Sequence, residues 1–225
     1  MRLFRRLARG RAPFQWRVER FGAILQLTWP RALVFVDHKF ARTLGLAPTD
    51  DERTRMGDAP LSAPLEAHLQ LTNGCSVGCQ GCYTGATRTP SSAEWTLEQW
   101  KEAIDELARM KVFHLALGGG ESADLPWLGE VAAHARKRGL VPNLTTCGLS
   151  TLAHVIDIAH LFGQINNSLD GLGAGNARVR GVAVFDASDQ ALVDLRKVKR
   201  EVVFIFVVSR INFEEMPSLF EHAKK

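Results

Sequence analysis

Cys75-Ser76-Val77-Gly78-Cys79-Gln80-Gly81-Cys82 places three thiols within eight residues. Thiolates are soft ligands for iron and zinc, so this C-x3-C-x2-C spacing points first to metal chemistry. Three thiolates on one short loop suit one iron each of a cubane [4Fe-4S] cluster, and the fourth iron would then lack a protein thiolate. An open metal position is where a substrate can coordinate. Gly74, Gly78 and Gly81 let the backbone wrap tightly. Two other readings stay open on spacing alone. A zinc loop wants a fourth Cys or His at regular spacing, and Cys147 is far off with no second C-x2-C. A redox pair of Cys79 and Cys82 leaves Cys75 without a role. A disulfide scaffold does not suit a chain of this length, and metal-binding thiols imply the reducing cytoplasm.

Other residues could do chemistry beside this loop. Gly118-Gly119-Gly120-Glu121 closes an apolar run, where a glycine run lets backbone approach a ligand closely. Without the cysteines it would be merely a turn. Ser168 and Asp170, in Asn167-Ser168-Leu169-Asp170-Gly171, stand at a strand end, where they could meet a ligand or cap the next segment. Arg210 offers a planar fork suited to a carboxylate, and a surface salt bridge would use the same fork. Cys147 reads as a packed core thiol.

The elements that must position these residues form two groups. Residues 1–46 read as a basic segment followed by a β-hairpin appendage. Phe14–Phe21 alternates roughly, Gly22 breaks the run, Ala23–Leu27 resumes it, and Leu33–Val36 is a further β-rich run. His38–Leu44 reads as a short helix closed by Gly45. Residues 47–64, rich in Pro, Asp, Arg and Gly, read as a linker. From residue 65, strands and helices alternate. Strands are expected at Ala67–Leu71, Val112–Leu117, Val141–Thr146, Gln164–Leu169 and Val202–Val208, the last apolar enough for burial on both faces. Helices are expected at Trp95–Met110, capped by Thr96 and Gln99, and at Pro126–Arg138, Leu152–Leu161, Asp189–Val198 and from Glu214. Such a repeat predicts an α/β fold with a parallel sheet and right-handed crossovers. The cysteine loop follows its first strand, on the edge where ligands bind in such sheets.

At this point the sequence resembles the radical S-adenosylmethionine (SAM) superfamily. The resemblance rests on Leu69 through Tyr83 with its three cysteines, then on Gly118-Gly119-Gly120-Glu121, Asn167-Ser168-Leu169-Asp170-Gly171, Arg180-Gly181 with Phe185-Asp186, and Val207 through Asn212, in the family's order. It covers residues 65–225 and implies a partial (β/α) barrel with about five of the usual six strands, read as truncated. It further implies a [4Fe-4S] cluster on Cys75, Cys79 and Cys82 and SAM as second cofactor. Tyr83, Gly118, Gly119, Gly120, Glu121, Ser168, Asp170 and Arg210 would contact SAM. The glycine run would meet the methionine amino group with Glu121 as acceptor, and Tyr83 would help pack the adenine. Ser168 and Asp170 would reach the ribose hydroxyls or the substrate, and Arg210 the methionine carboxylate. The implied chemistry is reductive cleavage of SAM to a 5′-deoxyadenosyl radical that abstracts hydrogen from a substrate. The details resemble the peptide- and protein-modifying (SPASM-type) branch. That implies a precursor peptide or protein as partner and a one-electron donor such as flavodoxin or ferredoxin. The chain departs from the pattern at Gly81, Ser122 and Cys147-Gly148, where relatives often carry an aromatic residue, proline and Asn-Gly. A non-catalytic or degenerate cluster- or peptide-binding relative and a zinc-loop scaffold are the competing readings.

Composition is that of a globular chain, 46% hydrophobic and 23% charged. No apolar stretch is long enough to span a membrane, and no secretory signal follows the basic start. Arg2, Arg5, Arg6, Arg9, Arg11 and Arg17 crowd the N-terminus against Glu19. They read as a solvated, frayed terminus, with nucleic acid not the expected partner.

Overall fold

The computed structural model describes residues 14–28, 30–46, 49, 61–147, 152–199 and 201–224. The basic residues before Phe14, most of the expected linker and Gly148 lie outside them. The chain divides into two compact units, one of Met1–Leu65 with Leu107–Phe113, the other of Glu66–Glu106 with His114–Lys225.

In the first unit, strands β1 (Phe14–Glu19), β2 (Gly22–Thr28) and β3 (Arg31–Asp37) pair antiparallel in that order. Gly22 makes the tight turn: its φ is +149°, and a Cβ there would lie 2.1 Å from the Val36 carbonyl oxygen. Helix α1 (His38–Leu44) starts where the Asp37 side chain accepts from the Phe40 N–H at 2.8 Å and stops at Gly45, in the left-handed region. Period-two alternation sends Ala23, Leu25 and Val36 to one face, where they bury with Ala41 of α1.

On the opposite face Arg17 is 2% exposed. Its guanidinium pairs with Glu19 at 2.6 Å and donates to the carbonyls of Ala63 (2.7 Å), Pro64 (2.8 Å) and Lys111 (3.1 Å). It also lies 5.1 Å from the centre of the Phe113 ring. Arg17 is therefore not part of the solvated basic terminus that the sequence suggests. The charge is buried because each nitrogen of the fork finds an acceptor.

The second unit holds a five-stranded parallel sheet in the order β4 (Glu66–Thr72), β5 (His114–Gly119), β6 (Val141–Thr146), β7 (Ile165–Ser168), β8 (Val202–Ile205). Helices α2 (Leu97–Arg109), α3 (Leu128–Lys137), α4 (Leu152–Ile158), α5 (Ala174–Arg180), α6 (Phe185–Val198) and α7 (Met216–Ala223) intervene or follow. Monotonic strand order with a crossover at each step is the winding of a partial (β/α) barrel. The reciprocal cap of α2 forms as expected: Thr96 N–H donates to Gln99 Oε1 at 2.8 Å, and Gln99 N–H to Thr96 Oγ1 at 3.4 Å.

Alternate strand residues split cleanly. Leu71, Leu115, Leu117, Leu144 and Ile165 are buried, as are Ile104, Leu128, Val131, Leu192 and Leu195 from the helices. Each such large side chain contributes roughly 1.5–3 kcal/mol. The other strand face carries His68, Gln70, His114, Asn143, Thr145, Asn166 and Ser168, none fully buried.

Two expectations need correction. The last strand ends at Ile205, not Val208, and it is not buried on both faces: Val203 is 42% exposed and Ile205 38%. It lies at the edge of the described sheet, where one side of the ladder has no neighbour. The helix expected at Asp189–Val198 begins at Phe185, and α5 precedes it where no element was expected.

Candidate functional site

The cysteine loop leaves the C-terminal end of β4, and its base is fixed by hydrogen bonds. Glu94 Oε1 accepts from the Thr72 hydroxyl (3.0 Å) and the Asn73 N–H (2.6 Å), while Thr72 Oγ1 accepts from the Gly74 N–H (2.9 Å). Cys75 N–H donates to the Thr87 carbonyl at 2.8 Å and Thr87 N–H to that of Asn73 at 2.9 Å. Residues 75–87 are thus closed into a ring at one rung of parallel bridge. Gly78 and Gly81, at φ +72° and +66°, make the reversals between the cysteines.

The glycine run docks on this base. Gly120 N–H donates to the Thr72 carbonyl at 2.7 Å and Glu121 N–H to that of Gly74 at 2.9 Å. A Cβ at Gly119 would lie 2.3 Å from Thr72 O, and one at Gly120 2.0 Å from Gly74 O. Two of the three glycines therefore let the neighbouring strand touch the start of the cysteine loop. Only Gly118 of the three has open space where a Cβ would stand.

The far side of the loop rests on the C-terminus of α5. Gln80 N–H donates to the Arg180 carbonyl at 2.7 Å, and a Cβ on Gly181 (φ +72°) would lie 2.5 Å from Gln80 Cγ. Arg180 is held by Asp170, with Nε to Oδ2 at 3.2 Å, and donates to the Ser168 carbonyl at 3.1 Å. Asp170 Oδ1 accepts from the Val207 N–H at 3.0 Å. Behind this pair Glu215 accepts from the Leu172 N–H (2.9 Å) and from Arg178, lying against Gly171 and Gly175, which have no side chain to exclude it.

Cys75, Cys79 and Cys82 are all free thiols. Burial pushes the Cys79 thiol up; Arg180 opposes that, while Cys75, Cys82 and Asp170 add to it. Burial also disfavours the Cys82 thiolate, but the Thr84 hydroxyl and the N–H groups of Ala86, Thr84 and Gly85 outweigh it, so Cys82 lies below its ordinary value. Among the described residues no three His, Cys, Asp or Glu side chains converge as ligands of one ion must. Ligands to separate irons of a cubane stand further apart, and three free thiols on a closed loop, one already facing amide donors, fit that group.

The remaining residues singled out by sequence fall into three situations. Glu121 is buried: Oε1 accepts from the Ala123 N–H at 3.1 Å, and Oε2 accepts from the Cys147 N–H (2.8 Å) and thiol (2.6 Å). Ser168 and Asp170 lie at the end of β7, with the Asp170 carboxylate engaged as above. Tyr83, 93% exposed, and Arg210, exposed and unpaired among the described residues, are not drawn into the bonded cluster. Sequence reasoning gave no role to Arg180, Glu94 or Glu215. Arg180-Gly181 was at least visible as a motif, whereas the two glutamates sit in unremarkable polar stretches.

The Radical SAM superfamily profile matches residues 69–223. The pre-heme d1 synthase of Dinoroseobacter shibae is 32% identical over 156 residues, 67% of this chain and 38% of its own. The PqqA peptide cyclase of Methylorubrum extorquens is 27% identical over 170 residues, 73% of this chain and 44% of its own. The chain thus spans less than half the length of these curated relatives. Streptococcus suis SuiB, in its crystal structure bound to S-adenosylmethionine, shares the fold with a TM-score of 0.74 at 15% identity, over 93% of this chain and 59% of SuiB. SuiB bound to its precursor peptide SuiA gives a TM-score of 0.73. Among the described residues no helix is long and apolar enough to cross a membrane. Fold, motif order and profile agree: this chain belongs to the radical SAM superfamily of enzymes.

Proposed function

We propose that Cys75, Cys79 and Cys82 hold a [4Fe-4S] cluster and that the chain carries the SAM-cleaving part of an enzyme acting on a peptide or protein. The observation that carries this is the closed cysteine loop, bonded at its base to Gly120 and Glu121. When bound, the cluster supplies the electron for reductive cleavage of SAM, and the resulting 5′-deoxyadenosyl radical takes hydrogen from the substrate. The chain's own residues orient the cofactor. Gly118 leaves open, for the methionine end of SAM, the space that a side chain would fill. Arg180, largely buried and bonded through its carbonyl to Gln80 next to Cys79, is better placed for the methionine carboxylate than exposed Arg210. An external one-electron donor and a reducing compartment such as the cytoplasm follow from the same chemistry.

Two features support a peptide substrate. β3 is an edge strand of the described N-terminal sheet and carries an exposed Phe35, a setting that suits strand addition. The open face of the described barrel strands carries amides, hydroxyls, imidazoles, the Glu66 carboxylate and the apolar Val203 and Ile205, but neither Arg nor Lys. A carboxylate-bearing heme precursor would want such cations, so the reading suggested by the pre-heme d1 synthase relative stands second.

Anaerobic reconstitution tests the first claim: about four iron and four sulfide per chain are expected, and none of this should survive Cys79→Ala. Zinc in place of iron would refute it. SAM should perturb the magnetic resonance spectrum of the reduced cluster and yield 5′-deoxyadenosine. Incubation with a neighbouring-gene peptide and, separately, with a heme precursor then decides the substrate, by a mass change in one or the other.

A further inference from the structure

Resting on the cluster reading above, we infer that Asp170 and Arg180 form a charge pair that sets the reduction potential of the cluster, with Asp170 acting as a positioning and tuning residue through Arg180. Asp170 Oδ2 meets Arg180 Nε at 3.2 Å, and each side chain is only 12% exposed, so solvent screens the pair weakly. Arg180 cannot swing away, because its guanidinium also donates to Ser168 O and its own carbonyl accepts from Gln80, next to Cys79. The loop's backbone thus fixes the Arg180 main chain, while Asp170 and the Ser168 carbonyl fix its guanidinium. Gln80 follows Cys79 directly in the chain, so the pair is anchored to the segment of the loop that carries this cysteine.

Reduction adds one negative charge to the group held by Cys79. A nearby cation stabilises the reduced form and raises the potential; a nearby anion lowers it. Asp170 therefore offsets part of the Arg180 charge and keeps the potential low, in the range that reducing a sulfonium requires. It does so while remaining bonded to the Val207 N–H, so the end of β7, the end of β8 and the cysteine loop share one electrostatic unit.

The test is a potentiometric titration of the reconstituted cluster, followed by magnetic resonance, in the unaltered chain, Asp170→Asn and Arg180→Gln. Asparagine keeps an acceptor for the Val207 N–H. The potential should move up in Asp170→Asn and down in Arg180→Gln. Mere structural damage would move both the same way or lower iron content in both. Shifts of one sign, no shift, or iron loss in both variants would overturn the inference. Failure of the unaltered chain to take up a cluster would instead overturn the reading on which it rests.

Discussion

Cys147 gives two hydrogen bonds to one carboxylate oxygen of Glu121, from its N–H at 2.8 Å and its thiol at 2.6 Å. The pair joins the ends of β5 and β6. The Cys147 carbonyl in turn accepts from the Ser188 hydroxyl at 2.7 Å. A sequence expectation of a packed thiol captures the burial of Cys147 but not this bond. Cys147→Ala should destabilise the chain by about 1.5–3 kcal/mol, the worth of a hydrogen bond to a charged group. Cys147→Ser, which keeps a donor, should recover most of that loss. Denaturant unfolding of the three proteins measures it.

The glycine run separates two roles by position. Gly120→Ala must displace Gly74 backbone, which no side-chain movement can relieve, so reconstituted material should carry well under the normal iron content. Gly118→Ala meets no protein atom and should assemble a full cluster. Its methyl group would occupy space proposed for SAM, and SAM affinity should fall about tenfold or more, ~1.4 kcal/mol. Iron and sulfide assays with a SAM titration distinguish the two.

Gly175 and Glu215 should show strong coupling. A Cβ at Gly175 would lie 2.0 and 2.1 Å from the two Glu215 carboxylate oxygens. Gly175→Ala should cost roughly 1–3 kcal/mol by overpacking. In a Glu215→Ala background the same change should cost much less. A double-mutant cycle on unfolding free energies gives the coupling directly.

His114, half-buried on β5, gives a pH dependence. Burial lowers its pKa, with Glu66 opposing and Arg136 reinforcing the shift. As pH falls, the unfolded chain takes the proton first. The contribution is therefore complete above about pH 6.5 and is lost as pH drops through the folded-state value. His114→Leu should flatten the stability profile between about pH 7.5 and 5.5. Thermal unfolding across that range checks the sign.

Much of the barrel was legible in the sequence because its strands bury apolar residues in short runs with glycine at their ends. Val141–Thr146 matched to the residue. Helix α5 was not legible: Ala174-Gly175-Asn176-Ala177 reads as loop, and the helix is held by Glu215, some forty residues on in sequence. The extent of β8 misled because Val202 to Val208 has the composition of a doubly buried strand, while its burial depends on having neighbours on both sides. For the site, spacing revealed the cysteines and the glycine run. It did not reveal that Glu121 turns to Cys147 or that the Arg180 carbonyl takes the Gln80 N–H next to Cys79, since those are contacts between separate elements.

The acceptors of Arg17 bear on how modular this chain is. Its guanidinium is satisfied by carbonyls from Ala63 and Pro64 and by that of Lys111, more than forty residues downstream. A cut after residue 65 would remove the Lys111 carbonyl and the Phe113 ring, leaving Arg17 with Glu19 and the Ala63 and Pro64 carbonyls but without its cover on that side. The N-terminal sheet is therefore not a bead that recombination can exchange freely. Any graft of it between relatives has to bring the turn around Lys111 along, so the two segments should be inherited together.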